Sequence, residues 1–182
     1  MSTRTVLHEA DIARALTRIS HEILESNKGP DGLVILGIPT RGVALAHRIA
    51  ALIAELGGTS VPVGALDVTM YRDDLHRNPT RSPQPTSIPA GGIDGKVVVL
   101  VDDVLFSGRS IRSALDALQD IGRPAVVRLA TLVDRGHREL PIRPDFVGKN
   151  LPSARDERVM VRLTEVDGEE FVSIEGEGTT GS

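Results

Sequence analysis

These 182 residues contain no cysteine and no tryptophan, and the aromatic set stops at one tyrosine and three phenylalanines. Without thiols there is no disulfide framework, no thiolate metal centre and no cysteine nucleophile. So few flat rings leave little on which to stack bases, which argues against a single-strand nucleic-acid platform built from aromatics. No apolar run approaches a membrane span and no apolar leader core opens the chain, so a cytoplasmic protein with no membrane partner is expected. Two familiar nucleotide loops are missing as well. No G-x-G-x-x-G follows a strand pattern, and Gly37 and Gly42 stand at P-loop spacing but precede Val43 and Ala44 where lysine and a hydroxyl are required.

The charge balance, 25 acids to 21 bases, points away from nucleic acid for the chain as a whole. Its distribution is uneven. Residues 165–182 hold six acids and no base, which leaves 19 acids against 21 bases elsewhere, and bases outnumber acids from Arg135 to Arg158. A local RNA-binding patch stays open on that count. The length fits one domain, or one with a small appendage.

What is present concentrates at residues 97–110. Val97 to Val101 is an unbroken apolar run, β-branched at nearly every position, as a strand buried on both faces of a parallel sheet requires. Asp102 and Asp103 end it. A small turn, Ser107-Gly108-Arg109-Ser110, follows, and residues 111–118 resume at helical spacing. Unpaired backbone N–H groups at such a turn suit a phosphate, and the carboxyl end of a strand is where open α/β sheets bind ligands. Two simpler readings of the acid pair are turn formation and the magnesium pocket of a receiver-like domain.

The rest alternates in the same way. Ile12, Leu16, Ile19 and Ile23 predict an amphipathic helix over 9–27. A strand at 33–36, a loop at 37–42 and a helix at 43–56 follow, with further strands at 61–70 and 125–133. Residues 77–92, rich in proline, serine and threonine, bury almost nothing and read as a mobile segment or a plain linker. This order predicts an α/β fold with a doubly wound, mostly parallel sheet. Phe146-Val147, 159–163 and 171–174 are expected to form a small hood. On the predicted polar side of the 9–27 helix Arg14, Arg18 and His21, with Thr17 beside them, make a basic face that is either a phosphate-backbone contact or a solvated surface.

Residues 99–110 resemble the signature of the type I phosphoribosyltransferases, which bind phosphoribosyl pyrophosphate (PRPP). The resemblance extends through Leu16 to Ile19, Gly37 to Gly42, Tyr71 to Leu75 and Leu132 to Arg143. There it is similar to a branch of that family whose members regulate pyrimidine operons and double as uracil phosphoribosyltransferases. It implies a single domain of that fold, with a lid at about 71–90 and hood elements near the N-terminus and at 140–175. It implies PRPP contacts from Thr40, Arg41, Arg72, Asp102, Asp103, Val104, Leu105, Phe106, Ser107, Gly108, Arg109 and Ser110. Asp102, Asp103 and Arg41 are the implied catalytic set, with Mg²⁺ held by Asp102 and Asp103 together with PRPP. Base contacts would come from Val133, Asp134, Arg135, Phe146 and Val147, and RNA contacts from Thr17, Arg18, His21, His137, Arg138, Arg143 and Lys149. The implied partners are PRPP, uracil, UMP or other uridine nucleotides, an mRNA leader and further copies of the chain. Competing readings are a purely metabolic transferase and a PRPP-binding regulator without catalysis. Arg41 could also be a helix-start residue, Arg72 a loop ion-pair partner and Phe146 plain core. Purine-using relatives carry an aspartate where Phe106 stands, so the phenylalanine favours uracil.

Overall fold

A computed structural model describes residues 2–72 and 86–176. In chain order its elements are β1 (Ser2–Leu7), α1 (Glu9–Asn27), β2 (Leu33–Gly37), α2 (Arg41–Gly57), β3 (Val63–Ala65), a 3-10 turn (Thr69–Tyr71), β4 (Val97–Leu105), α3 (Arg109–Ile121), β5 (Val126–Asp134), β6 (Phe146–Asn150), β7 (Arg158–Arg162), α4 (Thr164–Asp167) and β8 (Phe171–Gly176). Five strands make a parallel sheet in the order β3-β2-β4-β5-β6, while β1, β8 and β7 form a separate antiparallel sheet.

All five residues of β2 are buried, as a central parallel strand flanked by helices demands. Along β4 the side chains alternate: Val99 and Val101 join the core shared with α1 and α2, whereas Val98 and Leu100 join that beneath α3. The helices after β2 and β4 therefore cover opposite faces, which opens a crevice between those two strands at their carboxyl ends. The register fixes its depth. β2 ends with Gly37 opposite Val101, so from Asp102 to Leu105 β4 is paired with β5 alone.

Four boundaries differ from those predicted. The acid pair does not terminate β4 but lies inside it, because pairing to β5 continues through Leu105↔Asp134. Helix α2 begins at Arg41, two residues early. The strand expected over 61–70 shrinks to three residues, since the Asp67 carboxylate accepts both the N–H and the hydroxyl of Thr69 and turns the chain. Phe146-Val147 is not hood: it opens β6, the edge strand of the main sheet, with Phe146 opposite Ala130 and 5% exposed. The second sheet is built by β1, β7 and β8, and its Val161 and Val172 reach the core around Ile12. Of the expected lid, Tyr71 and Arg72 close the 3-10 turn and Ser87 bridges Ala65; residues 73–85 lie outside the described residues. Among those described, no helix is long and apolar enough to cross a membrane.

The acidic segment also behaves differently from a detached tail. Arg48 on α2 pairs with Glu165 and Glu170, and Arg41 pairs with Asp167. Those acids neutralise the body's own arginines, so subtracting them overstates the body's positive charge.

Candidate active site

The crevice between β2 and β4 holds a cleft of about 460 Å³. Its floor is the β4 overhang, where Asp102, Asp103 and Val104 line it; Thr40 and Arg41 close one side, and Arg72 and Ser110 stand at the others. The cis Pro39–Thr40 peptide leads into α2. Gly42 lets α2 lie directly on β4: a Cβ there would sit 2.4 Å from the Val101 carbonyl oxygen. Each acid accepts its successor's N–H, Asp102 from Asp103 at 2.9 Å and Asp103 from Val104 at 2.8 Å, so the strand itself orients both carboxylates. Asp102 and Asp103 are half-buried.

Beyond Leu105, which is buried and contributes backbone only, the chain turns through Phe106 and Ser107 to Gly108. Gly108 has φ of 93°, the left-handed region that favours glycine, and α3 starts immediately after it. Ser107 Oγ accepts the Arg109 N–H at 3.3 Å and Ser110 lines the cleft, so the turn into α3 is polar where an anion would lie.

Arg41 is held by Asp167 in a two-pronged pair at 3.1 and 2.7 Å, and Arg162 and the Leu163 N–H also donate to Asp167. The hydrogen bond that Arg41 donates to Asp167 raises the guanidinium's pKa above the usual value, and the charges of Asp167 and, behind it, Asp103 add to that against the opposing effect of burial. Asp167 in turn falls to about 2, chiefly through Arg41. A carboxyl depressed in the folded state stabilises it fully above its ordinary value of 3.8 and loses that contribution as the pH drops toward 2. Asp167→Asn should therefore flatten the loss of stability between pH 4 and pH 2, by about 2 kcal/mol, in urea unfolding series. A variant with the wild-type acid slope would refute this. Sequence reasoning counts Asp167 only among the six acids of residues 165–182 and assigns Arg48 nothing; the usable signal was Arg41 and Arg48 seven apart on one face of α2 opposite three closely spaced acids.

The expected base-binding set divides. Val133 and Phe146 belong to the core, and the Val147 carbonyl is occupied by Arg18 at the sheet edge, so none of the three lines the cleft. Asp134 and Arg135 do line a second cavity, of about 400 Å³, with His137, Arg138 and Ser153. Arg135 is 7% exposed, lies 4.2 Å over the Phe106 ring and leaves its Nε without a partner. Burial pushes Asp134 up, but Arg138 and the Gly136 N–H outweigh it and hold the carboxyl below its usual range.

The expected RNA contacts are scattered. Arg18 donates to the Val147 and Gly148 carbonyls at 3.0 and 2.6 Å and to Glu22, which covers the β6 edge; the Thr17 hydroxyl bonds the Ala13 carbonyl, and His137 Nε2 the Ser153 carbonyl. Arg138 is tied to Asp134. His21, Arg143 and Lys149 are exposed. Arg143 lies beside Leu100, Ile111 and Leu129 in the α3 layer, whereas α1 covers the other sheet face. A single flat face for Arg18, His21, Arg138 and Arg143 is therefore not formed; an RNA would have to wrap the β6 edge.

A crevice at the switch point of a parallel sheet, floored by adjacent acids and followed by a glycine turn into a helix, is the arrangement that the resemblance to the phosphoribosyltransferases implies. The chain matches the phosphoribosyl transferase domain family over residues 2–161. A hypoxanthine phosphoribosyltransferase of Trypanosoma cruzi shares the fold with a TM-score of 0.72, covering 96% of this chain and 97% of that one at 16% identity. The chain is 72% identical to the bifunctional protein PyrR of Leifsonia xyli subsp. xyli over 98% of its length and all of the relative's, and 63% identical to that of Streptomyces coelicolor, covering 93% and 88% of the two. It belongs to the phosphoribosyltransferase family, in its PyrR branch.

Proposed function

We propose that this chain transfers the phosphoribosyl group of PRPP to uracil, releasing UMP and pyrophosphate, and that it also binds an mRNA leader under the control of uridine nucleotides. The observation that carries the enzyme is the β4 overhang, which puts two oriented carboxylates on the floor of a cleft whose walls carry Arg41 and Arg72. Transfer builds positive charge at the anomeric carbon while a polyanion departs. Asp102 and Asp103 would face the ribose hydroxyls, the turn at 106–108 and Ser110 the 5′-phosphate, and Thr40, Arg41 and Arg72 the pyrophosphate.

Two hard carboxylates suit Mg²⁺, and among the described residues no cluster of three acids or histidines could cage a metal alone. The ion would thus be shared with substrate oxygens, where it supplies charge neutralisation for the leaving group. Phe106 offers an apolar face with no carboxylate, which supports a pyrimidine over a purine ring. His21, Arg143 and Lys149 around the β6 edge support contact with an RNA backbone.

The test pairs two assays on the wild-type chain. With PRPP and Mg²⁺, uracil should be converted faster than hypoxanthine or orotate; faster purine turnover would refute the base assignment. In filter binding, the cognate leader RNA should bind more tightly with UMP, and its affinity should fall with salt, with a log–log slope of roughly −0.7 to −0.9 per phosphate contact. No RNA binding under any condition would leave only the enzyme.

A further inference from the structure

The 3-10 turn at Thr69–Tyr71 gives the cleft a residue from each of its flanks, Val68 before it and Arg72 after it. So short a turn has little cohesion of its own: the Tyr71 N–H reaches the Val68 carbonyl at 3.0 Å, and the Arg72 N–H reaches that of Thr69 only at 3.5 Å. Its first half is pinned locally. Asp67 accepts the N–H and hydroxyl of Thr69 at 3.1 and 2.6 Å and donates its own N–H to the Thr86 hydroxyl at 2.9 Å. Met70, in the middle, is 69% exposed and anchors nothing.

The second half is pinned from outside the site. Tyr71 packs against the apolar layer beneath α3, and its hydroxyl donates to the Asp120 carboxylate in the last turn of that helix, 49 residues along the chain and away from the residues that line the cleft. A phenol donating to a carboxylate makes a charge-assisted, directional bond. That bond raises the hydroxyl above its usual value, so Tyr71 keeps its proton and remains the donor at neutral pH. Helix α3 thus bears on the cleft twice, directly through Ser110 in its first turn and, through Asp120 and Tyr71, at Arg72. We propose that Asp120 is a positioning residue for pyrophosphate binding: by holding the Tyr71 hydroxyl it fixes the turn that presents Arg72, so that the guanidinium is in place before the polyanion arrives. Ordering completed during folding is not charged against binding. This rests on the function proposed above.

The two products, pyrophosphate and UMP, separate the effect. Calorimetry with Mg²⁺ present gives the Kd of each for the full-length wild type, for Asp120→Ala, Asp120→Asn, Tyr71→Phe and Arg72→Gln, and for Asp120→Ala combined with Arg72→Gln; steady-state kinetics gives KM for PRPP and kcat. One exposed hydrogen bond is a modest constraint, so Asp120→Ala and Tyr71→Phe should each weaken pyrophosphate binding and raise KM about fivefold, with kcat and the Kd of UMP within about twofold of wild type. Asparagine keeps an acceptor oxygen for the tyrosine, so Asp120→Asn should stay within about twofold of wild type throughout. On the Arg72→Gln background Asp120→Ala should cost nothing further, because it acts through that guanidinium.

The inference is overturned if Asp120→Ala and Tyr71→Phe leave pyrophosphate affinity unchanged, or if UMP affinity falls in step with it, which marks a general loosening of α3. It is overturned equally if Asp120→Asn is as impaired as Asp120→Ala, since charge rather than the tyrosine bond would then matter, or if the loss from Asp120→Ala persists in full on the Arg72→Gln background. Tyr71→Phe removes a single hydroxyl from a half-buried ring, so it tests the bond even where Asp120→Ala fails to fold. A wild type that binds pyrophosphate as expected but converts no uracil defeats the proposed function and leaves this inference standing; one that binds no pyrophosphate overturns the inference.

Discussion

Replacing Asp102 and Asp103 together by asparagine should lower kcat/KM for PRPP by at least about a hundredfold while leaving the melting temperature within a few degrees. The two halves of that expectation have separate causes. Asparagine keeps an oxygen on the same carbon, so the N–H groups of Asp103 and Val104 that the carboxylates now accept would still find an acceptor. The main-chain pairing of β4 with β5, from Asp102↔Thr131 to Leu105↔Asp134, does not involve these side chains. What disappears is negative charge on the floor of the cleft, which the proposed contacts to Mg²⁺ and the ribose hydroxyls would need and for which the neutral amide is a poor substitute. Steady-state kinetics over a Mg²⁺ and PRPP series, with thermal unfolding alongside, reads both quantities. Normal PRPP affinity and rate in the double variant would show that the overhang is not the sugar site.

Gly42→Ala should cost about 3 kcal/mol of folding stability and most of the activity. A single methyl there meets the Val101 carbonyl oxygen at 2.4 Å and the Asp102 Cα at 3.4 Å, and both are strand backbone that cannot rotate away. Relief requires α2 to move off β4. That shift would carry Arg41 away from the acids, because Arg41 is the first residue of the same helix. Gly37 repeats the demand from the other side: its own Cβ would meet the Gly42 carbonyl at 2.4 Å. Urea unfolding and uracil conversion by the variant test this directly, and a stable, fully active Gly42→Ala protein would mean that helix and strand have slack the geometry does not show. By contrast Gly58, with nothing within 4 Å of an added Cβ, owes its place to a φ of 72° at the end of α2 rather than to packing.

Local patterning sufficed for the sheet class, the first helix to the residue and the strand-acid-turn-helix order of the site. These are local or nearly local properties: Ile12, Leu16, Ile19 and Ile23 make one stripe whatever they pack on, and a run such as Val97 to Val101 is affordable only between two apolar layers. Whether Asp102 and Asp103 follow the strand or lie within it was a question of register, settled by how far β5 extends beside β4 past the end of β2. Phe146 shows the same limit, because a short apolar piece fits a hood or a sheet edge equally well until β5 offers it a partner.

Side-chain partners far apart in sequence were the least legible. Asp167 lies 126 residues from Arg41, and Arg18 is 130 from the Gly148 carbonyl it covers. No periodicity encodes such a pair, since each member alone reads as an ordinary surface charge. Only the folded chain decided that Arg138 faces inward to Asp134 and the Phe106 carbonyl while Arg143, five residues on, stays exposed. The physical reason is that a guanidinium goes where desolvated acceptors await it, and the position of those acceptors is fixed by strand register and loop path, which are properties of the tertiary structure.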